Sequence, residues 1–342
     1  MVERGIHTRD EILSQPEAWA AALELLENQQ REILALLPAG RFDQVIYTGC
    51  GSTYYLALAA AALTQELTGT SARAFPASEL WQYPRSSYVT GKALLVAVSR
   101  SGETTETLRA CQAFIDDGRG ELLTLSCYGD MPLAKMGAVN IVLPSGQEQS
   151  VAQTRAFSTL YLGTVALAAL WAGRKELINS LPLLPEAGQK VLAQAIPLSV
   201  ELGLDKDIDR FYWLGSGSRY GLAAELSLKM KEMSLSHSEP FHFMEFRHGP
   251  KSMVTPSTLI IGLLSSVNGK HERSVLKDAQ DLGGRLLDIA ETDSHVCFDS
   301  GIDESIRNVL YLPVGQCIAL ERSLAKGLNP DCPNNLDSVV KL

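Results

Sequence analysis

The sequence predicts an α/β fold made of two similar halves, each a parallel sheet sandwiched by helices. Three observations carry this prediction. A strand-turn-helix unit occurs twice: QVIYTGCGSTYYLALAAAA contains Gly49 and Gly51, and DRFYWLGSGSRYGLAAELSLK contains Gly215 and Gly217, half a chain later. At 342 residues the chain exceeds the size at which one core usually keeps growing, so the repeat points to two domains. Short apolar runs also alternate with helical patterns in both halves, as in parallel sheets with a helix after each strand.

The elements follow in order. Thr8 and Glu11 have capping-box spacing, and after Pro16 an apolar series runs through Trp19, Leu23, Leu25, Ile33 and Leu37, predicting two N-terminal helices. Strands are expected at Gln44–Tyr47, Ala93–Val98 and Leu122–Ser126, with helices at Tyr54–Leu67 and Thr104–Asp116. A long helix is expected from Ser150 to Ala172. The stretch Gly173–Leu204, with Pro182, Pro185 and Pro197 among helical patterns, reads as the connection between halves. Beyond it, strands are expected near Phe211 and at Thr258–Leu263, Arg285–Ile289 and Val309–Leu312. The helices between them are placed at Arg219–Ser236, His271–Asp281 and Val314–Lys326.

Composition narrows the function classes. A hydrophobic content of 46% with 20% charged residues is that of a globular protein. The net charge of −9 leaves no basic footprint for nucleic acid and no broad attraction to acidic membranes. The six cysteines, Cys50, Cys111, Cys127, Cys297, Cys317 and Cys332, show neither CxxC pairs nor zinc-ligand spacing. A reducing cytoplasm is therefore expected, with no metal and no cofactor. The apolar stretch at 160–173 is too short to span a bilayer comfortably, and no signal sequence opens the chain, so a soluble protein is expected.

The strongest local signal in the first half is AVSRSGETTETL, from Ala97 to Leu108. It leaves a strand and enters a helix, placing Ser99, Ser101 and Thr104 around a turn where Gly102 permits close backbone approach. A helix N-terminus offers free N–H donors to an anion, and phosphate is the natural guest. Ser52 and Thr53, after Gly51, belong to the same sheet edge, where open α/β sheets place ligands. The competing reading is that Ser101 or Thr104 merely caps a helix. A nucleotide site is disfavoured because GCGSTY is not GxGxxG, no acid ends the second strand near residues 72–78, and a Walker lysine is absent. In the second half the equivalent turn, LLSSVNGKHE from Leu263 to Glu272, lacks the hydroxyl spacing, so one phosphate cradle per chain is expected.

Residues 225–250, ELSLKMKEMSLSHSEPFHFMEFRHGP, concentrate ionisable groups: Lys229, Lys231, Glu232, His237, Glu239, His242, Glu245 and His248. Lys229 and Glu232 share a helical face, where a solvated surface pair is the plain alternative to chemistry. His248, before Gly249 and Pro250, reads by itself as a residue that hydrogen-bonds within a turn, ahead of the alternative of an acid/base near neutral pH.

Five motifs in order, GCGST at 49–53, SRSGET at 99–104, EQSVAQTRAFS at 148–158, LSLKMKEMS at 226–234 and FRHGPKS at 246–252, give the chain a resemblance to tandem sugar isomerase (SIS) domain proteins. It is similar over nearly its whole length to the isomerase half of glucosamine-6-phosphate synthase, and to stand-alone amino-sugar-phosphate deaminase/isomerases. The resemblance implies N-terminal helices over 1–37, a first SIS domain over 38–175 with the phosphosugar cradle, a helical connection over 176–205 and a second SIS domain over 206–342. It also implies that Gly51, Ser52, Thr53, Ser99, Arg100, Ser101 and Thr104 line the sugar-phosphate pocket, with the backbone of Val151 close to the sugar. Arg100 stands where the synthase carries an amide, and its guanidinium suits a phosphate or replaces another cation.

By the same matching Glu232 corresponds to the proton-transfer carboxylate, Lys229 to an assisting lysine and His248 to the ring-opening histidine. That histidine reaches a neighbouring subunit's site in relatives, implying a homodimer with shared active sites. The ligand implied is a hexose or hexosamine 6-phosphate. The tail departs from the family: Ser338 stands at the imine-forming lysine and Asn334 at a usual arginine, with Lys341 nearby but out of register. Nor does a chain opening Met1-Val2-Glu3 carry the synthase's nucleophilic cysteine and glutaminase domain, so it is not expected to use glutamine alone. The leading expectation is deamination of an amino-sugar or fructosamine 6-phosphate by ring opening and C1–C2 proton transfer. The alternatives are simple aldose-ketose isomerisation, or a non-catalytic regulator that reads a phosphosugar.

Overall fold

The computed structural model describes residues 4–38, 40–88 and 91–342; the opening Met1-Val2-Glu3 lies outside them. The chain divides into two compact units. The first-sheet unit comprises Glu17–Glu148, Arg155–Pro182 and Asp337–Leu342. The second-sheet unit comprises the residues through Pro16, Gln149–Thr154 and Leu183–Leu336.

The first sheet is parallel and five-stranded: β1 (Gln44–Gly49), β2 (Ala72–Pro76), β3 (Ala93–Ser99), β4 (Gly120–Ser126) and β5 (Val139–Val142), in the order β2-β1-β3-β4-β5. Its central strands β1 and β3 are buried at every position, so they read as continuous apolar runs rather than alternating ones. One face packs Ile46, Leu95 and Ala97 against Ala110 and Phe114 of the helix Thr105–Asp116. Ile46, Leu95 and Phe114 each contribute about 1.5–3 kcal/mol on full burial. The chain first steps from β1 outward to β2, then crosses back to β3 on the other side. This reversal opens a crevice beyond the carboxyl ends of β1 and β3.

The second sheet repeats the plan with β6 (Arg210–Leu214), β7 (His237–Phe241), β8 (Thr258–Leu263), β9 (Arg285–Ala290) and β10 (Val296–Cys297), in the order β10-β9-β8-β6-β7 and again parallel. Its equivalent reversal lies between β6 and β8. Tyr212, Leu214, Phe246, Ile260 and Val275 form part of its core. The predicted α/β class with two helix-flanked parallel sheets is the observed one.

Several local expectations are corrected. Thr8 is no cap: the helix Ile6–Leu13 begins after Gly5, Thr8 donates its N–H and hydroxyl to Asp331, and Glu11 turns to the backbone of Gln149 and Ser150. The helix expected from Ser150 starts at Arg155, because Gln149–Thr154 forms an irregular loop. Val309–Leu312 is not a strand but a 3₁₀ turn, Asn308–Tyr311, running into the helix Leu312–Ala325, whose first turn contains Pro313. A four-residue apolar run buried on all sides carries no period that separates strand from helix. Strand β7 escapes sequence reading because Pro240 argues against a strand, yet β7 is an edge, where a missing N–H is tolerated. The proline-bearing stretch after Pro182 forms one continuous helix, Leu184–Leu204, with Pro197 inside it. Among the described residues no helix is long and apolar enough to cross a membrane.

Candidate functional site

In the first-sheet unit, two turns meet the crevice at the ends of β1 and β3. After β1 the chain turns at Gly51 into the helix Ser52–Thr68, so Ser52 and Thr53 form its first turn. Thr53 closes the turn: its Oγ1 accepts the Cys50 N–H at 2.9 Å and donates to the Cys50 carbonyl at 3.0 Å. Gly49 is required here, since a Cβ would sit 2.5 Å from Thr53 Oγ1.

After β3, Ser99 Oγ accepts the Gly102 N–H at 3.1 Å and lies 3.3 Å from Thr104 Oγ1, while Ser101 Oγ accepts the Glu103 N–H at 3.3 Å. Gly102 has φ +70, the left-handed region that bends the turn back, and a Cβ there would press on Met131. Thr104 precedes the helix Thr105–Asp116 without a side-chain cap bond. The five hydroxyl residues Ser52, Thr53, Ser99, Ser101 and Thr104 thus gather at one sheet edge with two helix N-termini, a donor set suited to an oxyanion.

Arg100 is buried and turned to protein partners. Its Nη1 lies 3.3 Å from Glu148 Oε2, and Nη2 donates to the Ser338 carbonyl at 3.0 Å. Glu148 also caps the helix Arg155–Trp171 by accepting the Ala156 N–H at 3.0 Å. The tail continues along the cradle helix: the Thr105 N–H donates to the Val340 carbonyl at 3.4 Å, and Lys341 Nζ lies 3.1 Å from Glu103 Oε2. Ser338 is therefore tied down through its backbone.

In the second-sheet unit the turns after β6 and β8 have the same topology but a different filling. Glu272 Oε2 accepts the Ser265 N–H at 2.6 Å, and Glu304 Oε2 accepts those of Ser266 at 2.7 Å and Val267 at 3.3 Å. Both carboxylates pair with the buried Arg219, at 3.4 Å and 2.5 Å respectively. The backbone donors that hold an anion in such a turn are occupied by the protein's own carboxylates.

The helix Arg219–Ser234 carries the ionisable candidates of this unit. Lys229 is wholly buried, with Nζ 3.2 Å from Glu225 Oε1 and hydrogen-bonded to Glu232 Oε2. The Glu232 side chain keeps 18% exposure. This is not a solvated surface pair. Burial opposes the lysine charge, yet the two carboxylates outweigh it and hold the Lys229 pKa above its usual value. Glu225 was missed in the sequence, although its place one turn before Lys229 was readable there.

His248 lies exposed in the turn after the short helix Phe243–Phe246, its N–H donating to the Glu245 carbonyl at 2.9 Å. His242 stacks on Tyr220 with ring centroids 3.9 Å apart, and partial burial lowers its pKa against the pull of Glu245. The Val151 N–H donates to the Asp331 carbonyl at 3.0 Å. Among the described residues no cluster of three or more His, Cys, Asp or Glu side chains is arranged to hold a metal ion.

The SIS domain family matches residues 41–170 and 206–316. Among curated relatives, the chain is 24% identical over 352 residues to glutamine–fructose-6-phosphate aminotransferase (isomerizing) of Methanothermobacter thermautotrophicus, covering 99% of this chain and 58% of that one. The counterpart from Acidithiobacillus ferridurans is 27% identical, over 95% of this chain and 57% of its own. The chain thus spans less than two thirds of the length of these relatives. Among solved structures, glucosamine-6-phosphate deaminase from Thermotoga maritima is 26% identical with a TM-score of 0.83, covering 98% of this chain and 100% of that one. Tagatose-6-phosphate ketose/aldose isomerase from Escherichia coli shares the fold at 22% identity and a TM-score of 0.86, over 96% and 95% of the two chains.

Proposed function

Because the chain belongs to the SIS domain family, with two SIS segments in tandem, we propose that it is a phosphosugar deaminase/isomerase acting on an amino-sugar or fructosamine 6-phosphate. The observation that carries the proposal is the Glu232 carboxylate, partly open to solvent and gripped by the wholly buried Lys229. A relative named as a glucosamine-6-phosphate deaminase, aligned along its whole length, supports the choice of substrate class.

In this proposal the residues have distinct tasks. Ser52, Thr53, Ser99, Ser101 and Thr104 bind the phosphate through hydroxyls and helix N-terminal N–H groups, with Gly51 shaping the turn. Arg100 supports them by holding Glu148 and the tail. His248 moves the proton between the anomeric hydroxyl and the ring oxygen, opening the sugar. Glu232 then removes the C2 proton of the open-chain aldehyde while the aldehyde oxygen takes a proton from water, giving an enaminol, and Glu232 returns the C2 proton to C1. C1 becomes a hydroxymethyl group and C2 an iminium, which water attacks to release ammonia and the ketose 6-phosphate. Lys229 orients Glu232 through their hydrogen bond. A proton transfer of this kind contributes about 10²–10⁴-fold to rate.

Ser338 in place of an imine-forming lysine favours this route, since a substrate that brings its own nitrogen requires no covalent capture. Ser338 also supports the second reading, a regulator that binds phosphosugar without turnover. The homodimer with shared sites, the cytoplasmic location and the domain limits 38–175 and 206–342 belong to the same proposal. Exchange of the C2 hydrogen of glucosamine 6-phosphate with deuterated water tests it. Exchange that requires Glu232 supports an enzyme, whereas binding without exchange favours the regulator.

A further inference from the structure

An irregular loop can be buried only if its backbone groups find partners in the protein. Gln149–Thr154 is neither helix nor strand, yet Ser150, Ala152 and Thr154 are buried. The loop belongs to the second-sheet unit, and groups of that unit hold it. Glu11, only 4% exposed, accepts the N–H groups of Gln149 at 2.5 Å and Ser150 at 3.2 Å on Oε1, while Oε2 accepts the Ser150 hydroxyl. The Val151 N–H is taken by the Asp331 carbonyl, and Asp331 Oδ1 in turn accepts the N–H and hydroxyl of Thr8, each at 2.8 Å. Gln316 donates to the Thr154 carbonyl at 3.1 Å. Thr8 and Glu11 lie three residues apart on one short helix, so a single element holds the loop directly and through Asp331.

Burying a carboxylate is costly unless strong donors compensate it, and here both oxygens are used, on donors from consecutive residues. A glutamine there keeps one acceptor oxygen for the two backbone N–H groups and loses only the acceptor for the Ser150 hydroxyl, which also donates to the Ala152 carbonyl at 3.1 Å. The sequence motif that suggested a helix cap therefore serves a loop elsewhere in the chain.

We propose that Glu11 is a positioning residue for the sugar end of the substrate, fixing the backbone around Ser150 and Val151 in the conformation that meets the sugar hydroxyls. This rests on the functional reading above and on the family resemblance, which implies that the backbone of Val151 lies close to the sugar. Phosphate binding is assigned to other residues, so loss of Glu11 separates the two affinities. A merely structural role affects both alike.

The test is calorimetric titration of wild type, Glu11→Ala and Glu11→Gln with glucosamine 6-phosphate and with inorganic phosphate, alongside hydrogen exchange of the peptide 147–154. Glu11→Ala is expected to exchange faster there and to bind the sugar phosphate about tenfold more weakly, the scale of a lost charge-assisted hydrogen bond. Its affinity for inorganic phosphate should stay within about twofold of wild type. Glu11→Gln, which still accepts both backbone N–H groups on one oxygen, should lie near wild type and covers the case of an unstable alanine variant. Unchanged sugar-phosphate affinity in a folded Glu11→Ala overturns the proposal, as does equal weakening of both ligands. A wild type with no preference for the sugar phosphate over inorganic phosphate removes the functional reading itself.

Discussion

Lys229 Nζ stands 3.2 Å from Glu225 Oε1, one helical turn away, with both side chains fully buried. Removing the lysine takes a cation away from a buried carboxylate, and Lys229→Met should destabilise the fold by about 3–5 kcal/mol. Replacing Glu225 by Gln in the same variant should recover part of that loss. Urea unfolding of the single and double variants measures both effects.

The same pair sets a pH dependence. The folded lysine has a raised pKa, so its contribution to stability is complete below the unfolded value, about 10.4, and is lost only as pH rises through the folded value. The stability difference between wild type and the double variant Lys229→Met/Glu225→Gln, which leaves Glu225 uncharged, should therefore be flat from about pH 6 to 9 and shrink only at more alkaline pH. Unfolding curves across that range check the sign; a difference that shrinks toward neutral pH contradicts it.

Arg100 ties Ser338 to the cradle through one guanidinium that also pairs with Glu148. Arg100→Ala should free the tail, seen as faster hydrogen exchange over residues 337–342 with the protein still folded. Tail exchange equal to wild type would show that Val340 and Lys341 suffice to hold it.

Glu304 fills the anion position of the second sheet. Glu304→Ala should leave Arg219 with Glu272 alone and expose the N–H groups of Ser266 and Val267, destabilising the protein by about 1–3 kcal/mol. Added phosphate or sulfate should raise the melting temperature of this variant more than that of wild type. Equal shifts in the two proteins refute the view that a carboxylate stands in for a ligand there.

Leu235 ends the helix that carries Glu232 in the left-handed conformation, φ 48, and is 53% exposed. Lys326 holds this turn by donating to the Ser234 carbonyl and the Ser236 hydroxyl, each at 2.9 Å. Leu235→Gly relieves a strained backbone at little packing cost and should stabilise the protein by up to about 1 kcal/mol, measured by thermal unfolding.

The fold was largely legible because its signals are local. The repeated Gly-x-Gly-Ser turns and the unbroken apolar runs of β1, β3 and β8 announce buried parallel strands by composition alone. The edge strand His237–Phe241 and the 3₁₀ turn at Asn308 were not legible, since one contains a proline and the other is a short apolar run without a period. In the candidate site, the serines and threonines at the ends of β1 and β3 were readable from their turns. The partners of Glu11, Arg100 and Glu304 were not, because each bond joins residues far apart in sequence.

The most direct measurement of the central claim follows ammonia and ketose 6-phosphate together from glucosamine 6-phosphate, with wild type and Glu232→Gln. Equimolar release by wild type, lowered at least about 10²-fold in Glu232→Gln while inorganic phosphate still binds, is the predicted result. Undiminished release by Glu232→Gln, or no release by a wild type that binds the sugar phosphate, would contradict it.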